Sequence, residues 1–230
     1  MRSQLLCISF AMVSALMAGG GGQTLHADIV VEVDSTSLTI GGSGTVDVWV
    51  YSEDGEVNVA AFGFDFDIVA NPANVGSLSF SDPQLLSETL DADYIFLGEA
   101  DPLHMLGASP LELEGSDLNV GANGYSVLGS TRKLLAQLDV THSLPSGTDP
   151  SLALGDTFTI DPNFLDGFFE FYDDAGDLIL IDETLSFGGN ITMSPTAAVP
   201  EPTSFAALFI GGISWASLRA GRRRKSNTTS

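Results

Sequence analysis

The sequence predicts an all-β protein, a single antiparallel β-sandwich flanked by an N-terminal signal peptide and a C-terminal membrane helix. Three observations carry this reading. Apolar and polar residues alternate with a period of two in several short runs, as half-buried strands require. Gly, Asp and Pro separate those runs, and each suits the dihedrals of turns. The apolar segments at the two ends have the flanking residues of export and membrane signals, not of core strands.

The strands follow in order. Ile29-Val30-Val31-Glu32-Val33 opens the first. Leu38-Thr39-Ile40, a glycine-rich turn from Gly41 to Gly44, and Thr45 to Tyr51 read as strand, turn, strand. In the last of these Val46, Val48 and Val50 share one face; Thr45, Asp47, Trp49 and Tyr51 share the other. Asp54-Gly55 centres the next turn. In Phe62 to Ile68 the alternation is nearly perfect. Phe62, Phe64, Phe66 and Ile68 are expected inward, and Asp65 and Asp67 on the solvent face. A one-residue slip would bury both aspartates and expose three phenylalanines. Leu134 to Val140 is a further strand with Ala136, Leu138 and Val140 inward. Short strands at Phe158–Ile160, Phe168–Tyr172, Leu178–Ile181 and Leu185–Thr192 complete the set. Pro83–Leu90 and Asp101–Leu106 suggest short helical turns. The body, 28–193, is ample for one core and shows no internal repeat.

The C-terminal tail carries the most specific motif. Pro200-Glu201-Pro202 is followed by an apolar stretch, Thr203 to Leu218, and then by Arg219, Arg222, Arg223, Arg224 and Lys225. Clustered Arg and Lys after an apolar run place that end in the cytoplasm. At 1.5 Å per residue the stretch spans about 24 Å, short of a hydrocarbon core of about 30 Å. It suits a chain held during sorting better than a permanent anchor. The two prolines keep the residues before it extended and accessible. This tail, from Val199 to about Lys225, resembles the PEP-CTERM sorting signal of Gram-negative bacteria. The resemblance implies export, recognition by the membrane protease exosortase and processing near Pro200–Pro202. It also implies delivery to the outer surface or to an exopolysaccharide matrix. Residues 194–202 form the linker, 203–218 the membrane segment and 219–230 a basic cytoplasmic tail.

The N-terminus agrees. Arg2, the apolar segment Leu5–Ala18 and a small residue at Ala27 make a secretory signal over 1–27, with the mature chain starting near Asp28. A cut nearer Gly20 is the alternative. Cys7 is the only cysteine and lies at the start of the apolar segment, not after it, so it fits neither a lipoprotein signal nor a disulfide.

The chain holds 30 acidic and eight basic residues, net −22. Every acidic residue except Glu201 lies between Asp28 and Val199, where Arg132 and Lys133 are the only Lys or Arg. Binding nucleic acid by counterion release needs a basic face, so that function is excluded. Most of the carboxylates read as a solvated acidic surface.

Catalytic signatures are absent: no GxSxG elbow, no HExxH, and, once His26 leaves with the signal segment, two distant histidines, His104 and His142, that read as exposed. Asp173, Asp174 and Asp177 crowd one glycine-containing turn. They suit an ordinary hairpin, since Asp and Gly favour turns. They also offer oxygens to Ca2+, which takes six to eight. Trp49 and Tyr51 can begin an aromatic platform for carbohydrate.

The body shows a second, broader resemblance. A valine-rich strand precedes VNVAAFGFDFDIVANPANVGSLSFSD (Val57–Asp82). A long excursion then leads to STRKLLAQLDVTHSLPSG (Ser130–Gly147). This order resembles the cohesin-like sandwich, whose members bind dockerin modules and whose wider group includes carbohydrate-binding modules. The same patterning also suits an unrelated Ig-like sandwich. The expected protein is therefore not an enzyme. It is an exported, exosortase-sorted surface or matrix protein whose acidic sandwich binds exopolysaccharide or another surface protein. A secreted polysaccharide hydrolase and a purely structural matrix protein are the alternatives.

Overall fold

The computed structural model describes residues 25–99, 104–164 and 169–195, and for 25–28 and 104–108 the backbone alone. The Pro200–Pro202 motif, the apolar segment and the basic run lie outside the described residues, as does most of the signal segment. Among the described residues no helix is long and apolar enough to cross a membrane.

Among the described residues fourteen strands make the body: β1 Leu25–Val33, β2 Thr36–Thr39, β3 Ser43–Ser52, β4 Val57–Val59, β5 Ala61–Ala70, β6 Ser77–Phe80, β7 His104–Ser109, β8 Glu112–Leu118, β9 Ser126–Leu128, β10 Lys133–Ser143, β11 Thr157–Pro162, β12 Glu170–Tyr172, β13 Leu178–Ile181 and β14 Gly189–Ser194. One layer runs β2-β14-β11-β5-β8-β7 and the other β1-β3-β10-β6. The β12–β13 hairpin joins them, β12 pairing with β5 and β13 with β1. β4 and β9 form a separate two-stranded ribbon. Most pairs are antiparallel, but β1–β13 and β2–β14 are parallel, which corrects the purely antiparallel expectation. Parallel neighbours need long connections, so local patterning does not reveal them.

The core forms where the alternation places it. Val46, Val48 and Val50 of β3 are buried, and so are Phe62, Phe64, Phe66 and Ile68 of β5. The phenylalanines make a ladder, with ring centroids 5.9 Å apart for Phe62–Phe64 and 5.2 Å for Phe64–Phe66. In β10 the register shifts between Leu134 and Ala136. That irregularity turns three successive residues, Leu134, Leu135 and Ala136, into the core.

Other expectations are corrected. Within Asp101–Leu106, the described residues from His104 onward are extended and belong to β7, which pairs with β8. Four more strands, β4, β6, β8 and β9, carry no strong sequence signal. β8 reads ELEGSDL, poor in strand formers, and becomes a strand because β5 and β7 pair with it on both sides. The Pro83–Leu90 region does hold a 3-10 turn, Ser87–Leu90. β1 begins at Leu25, so a cut after Ala27 removes only its first three residues.

Candidate functional site

The site is the outer face of the layer built on β5. Glycine and aspartate alternate there with the buried phenylalanines, so residues 63, 65 and 67 share that face. Pairing with β8 sets Asp65 opposite Glu114 and Asp67 opposite Glu112. Pairing with β11 sets Asp161 opposite Asp67, and pairing with β12 sets Glu170 opposite Gly63. Six carboxylates thus share one face, and none of these four strands contains Lys, Arg or His. Like charges directly opposite each other destabilise a sheet.

The electrostatics follow from this arrangement. Partial burial, and then the charge of Glu112, hold the Glu114 carboxyl above its ordinary range. Asp161 is raised by burial and by Asp67. Asn163, just after β11, donates from Nδ2 to Asp65 at 3.3 Å and to Asp67 at 3.1 Å. The Tyr172 hydroxyl donates to Glu170 in a short hydrogen bond. Asp65 lies on the outer face as the alternation requires, yet it is only 1% exposed. The expectation of a solvent-facing Asp65 is therefore corrected. β8 and Asn163 border it, and neither was visible as a neighbour in the local sequence.

One oxygen each from Asp65, Glu112 and Glu114 lies within 4.8 Å of the others. Such an oxygen set suits a hard cation such as calcium.

The turn at Asp173–Asp177 is arranged differently. Asp173 is buried, and its Oδ1 accepts the backbone N–H groups of Ala175 at 2.9 Å and Asp177 at 2.8 Å. That oxygen shapes the hairpin between β12 and β13, while Asp174 is exposed. Trp49 and Tyr51 share an outer face, as expected, but both are half-buried and engaged. Trp49 Nε1 donates to Asp34 at 2.9 Å, and Tyr51 donates to Glu32 at 3.2 Å. The Arg132 guanidinium sits 5.1 Å over the Trp49 ring and bridges to Glu32 and Asp34. A ring covered by a guanidinium offers little stacking surface to a sugar.

His142 is buried, against the exposed placement expected from its strand-end position. Its Nδ1 accepts the Gly41 N–H at 3.0 Å, and Nε2 stands 4.0 Å from Asp156. Burial lowers its pKa more than Asp156 restores it. The His104 side chain lies outside the described set.

These features define a β-sandwich module with one strongly acidic sheet face. No family model and no curated protein matches the chain. Similar solved structures include a non-cellulosomal cohesin from the hyperthermophilic archaeon Archaeoglobus fulgidus, 10% identical, covering 73% of this chain and 92% of that one with a TM-score of 0.47. Another is the sixth cohesin of scaffoldin B from Acetivibrio cellulolyticus, solved in complex with a Cel5 dockerin, 14% identical over 73% of this chain and 99% of that one, TM-score 0.46. A third is the seventh ScaB type I cohesin of Pseudobacteroides cellulosolvens, 11% identical over 76% and 97%, TM-score 0.45. All three are cohesins.

Proposed function

We propose that this chain is an exported, exosortase-sorted surface protein whose sandwich is a protein-binding module. Its docking surface is the acidic face of β5, β8, β11 and β12, and its partner presents basic residues. The observation that carries this reading is the set of like-charged cross-strand pairs Asp65–Glu114, Asp67–Glu112 and Asp67–Asp161 on strands without a basic residue. Repulsion between such pairs is relieved when a cationic surface docks. Complementary charge then speeds encounter and excludes wrong partners. The tail motif at Pro200–Pro202 and the signal over 1–27 support the route to the surface.

Export is checked by mass spectrometry of the surface-exposed protein. The mature form should begin near Asp28 and lack the segment after Pro202. Peptides covering Leu5–Ala18 or Arg222–Lys225 in that form would refute the route.

Binding is checked with a lysine-rich peptide titrated into the protein by calorimetry. Replacing Glu112 and Glu114 together by Gln should weaken binding about tenfold or more, the loss expected of one or two charge contacts. Replacing Asp54 by Asn and Glu56 by Gln in the exposed β3–β4 turn removes the same charge elsewhere and should change it little. Equal effects from both pairs would mean diffuse attraction and no docking face. Saturable binding of calcium chloride, lost with Glu112 and Glu114, would make a metal ion the occupant instead of a basic partner.

A further inference from the structure

Between β6 and β7 the chain makes a long excursion, and the part from Ser81 to Glu99 lies across the sandwich from β10 to β8. It buries Tyr94, Ile95 and Phe96, and Phe96 stacks on Phe62 at 5.4 Å. On the β10 side, Asp139 N–H donates to Gln84 at 2.7 Å and Leu85 N–H donates to the Asp139 carboxylate at 2.8 Å. The Ile95 N–H reaches the Leu134 carbonyl at 3.0 Å. On the β8 side the Tyr94 hydroxyl donates to Asp117 at 2.5 Å. The segment therefore acts as a cover over this side of the core.

At its centre is Glu88, whose side chain is fully buried in the 3-10 turn. Neither carboxyl oxygen has a hydrogen-bond partner of ordinary geometry, although its own backbone N–H lies close enough to favour the charge slightly. The groups that act on it are acidic. The charges of Asp139 in β10 and Asp117 in β8 act on it, and it acts in turn on the Tyr94 hydroxyl of its own segment. The residue before the turn, Leu86, is held at φ 54°. A non-glycine residue pays for that left-handed conformation, and it persists only while its surroundings hold it.

We propose that Glu88 is a proton-controlled latch on this cover. With the carboxyl protonated, the segment stays closed across β8 and β10. Loss of that proton places an unpaired charge beside Asp139 and Asp117, and the cover opens to place the charge in water. Opening uncovers Phe62 and Phe96, an apolar surface that the closed sandwich hides.

Burial, followed by the charges of Asp139 and Asp117, pushes Glu88 up to about 7. The sign follows from linkage. A carboxyl whose folded value lies above its value in the open state stabilises the closed state fully below the open-state value. That contribution is lost as pH rises toward the folded one. Closure is thus strongest below about pH 4.5, the ordinary value of the carboxyl, and weakens by up to about tenfold per pH unit from there until pH 7.

Amide hydrogen exchange on the full chain at pH 5, 6 and 7, corrected for intrinsic rates, tests this. Peptides spanning 84–97 should lose protection by up to about a hundredfold from pH 5 to 7. Peptides from β3 should not follow. Glu88→Gln should keep 84–97 protected and flat across the range. A flat wild-type profile overturns the latch by itself, whether or not Glu88→Gln folds. So does an equal loss of protection in Glu88→Gln, which would place the titrating group elsewhere, as at Glu114, whose carboxyl is also held above its ordinary range.

Discussion

Phe64→Ala is expected to lower the free energy of unfolding by about 3–5 kcal/mol, the usual cost of emptying a packed phenylalanine site. Phe64 is 1% exposed and lies between Phe62 and Phe66 in the β5 ladder. Each aromatic pair adds about 0.5–1.5 kcal/mol beyond burial. The neighbouring rings are fixed by backbone pairing on both sides of β5, with β8 on one edge and β11 and β12 on the other. The cavity therefore has little room to collapse, which favours the upper half of the range. Phe64→Leu keeps most of the volume and should cost under about half as much. Urea titrations followed by circular dichroism will separate the two. Equal losses would mean that the ladder relaxes around the gap.

The second large effect is expected at Asp156. This buried carboxylate accepts the Gly76 N–H at 2.7 Å and the Val75 N–H at 3.1 Å. It thereby fixes the loop between β5 and β6 to the turn before β11. Hydrogen bonds to a charged acceptor are worth about 1.5–3 kcal/mol each. Asp156→Ala removes both and leaves two donors poorly paired, at an expected cost of about 2–4 kcal/mol. Asp156→Asn retains a carbonyl acceptor and should cost less than half of that. The same titration measures it. An alanine variant within about 0.5 kcal/mol of wild type, as at an ordinary surface site, would show that solvent replaces the carboxylate at this loop. Gly76 is constrained at the same place, since a Cβ there would stand 2.1 Å from His142 Nε2.

Much of the sandwich was legible because burial follows the period of the strand. The alternation in Thr45–Tyr51 and Phe62–Ile68 assigns each inward residue correctly, since a strand with one buried face has a single acceptable register. The Asp173–Asp177 hairpin was legible for a local reason: an aspartate oxygen there binds N–H groups two and four residues on. β8 was not legible. Its Glu, Gly, Ser and Asp residues favour no strand, and only the pairing of β5 and β7 on its two edges makes it one. Nor was the role of His142, which depends on Gly41 and Asp156.

What the sequence determined by itself was the charge of the body, its strand periodicity and the motifs at its ends. These depend on composition and on residues a few positions apart. The tertiary structure alone decided where that charge is concentrated. Asp65, Glu112, Glu114 and Asp161 lie up to 96 positions apart along the chain, yet register brings them onto one face. It also decided that Glu88 is buried rather than solvated on its polar turn. Both outcomes come from long-range strand pairing and the packing of the cover segment. A carboxylate's surroundings, and so its charge and its use, are set by neighbours distant along the chain.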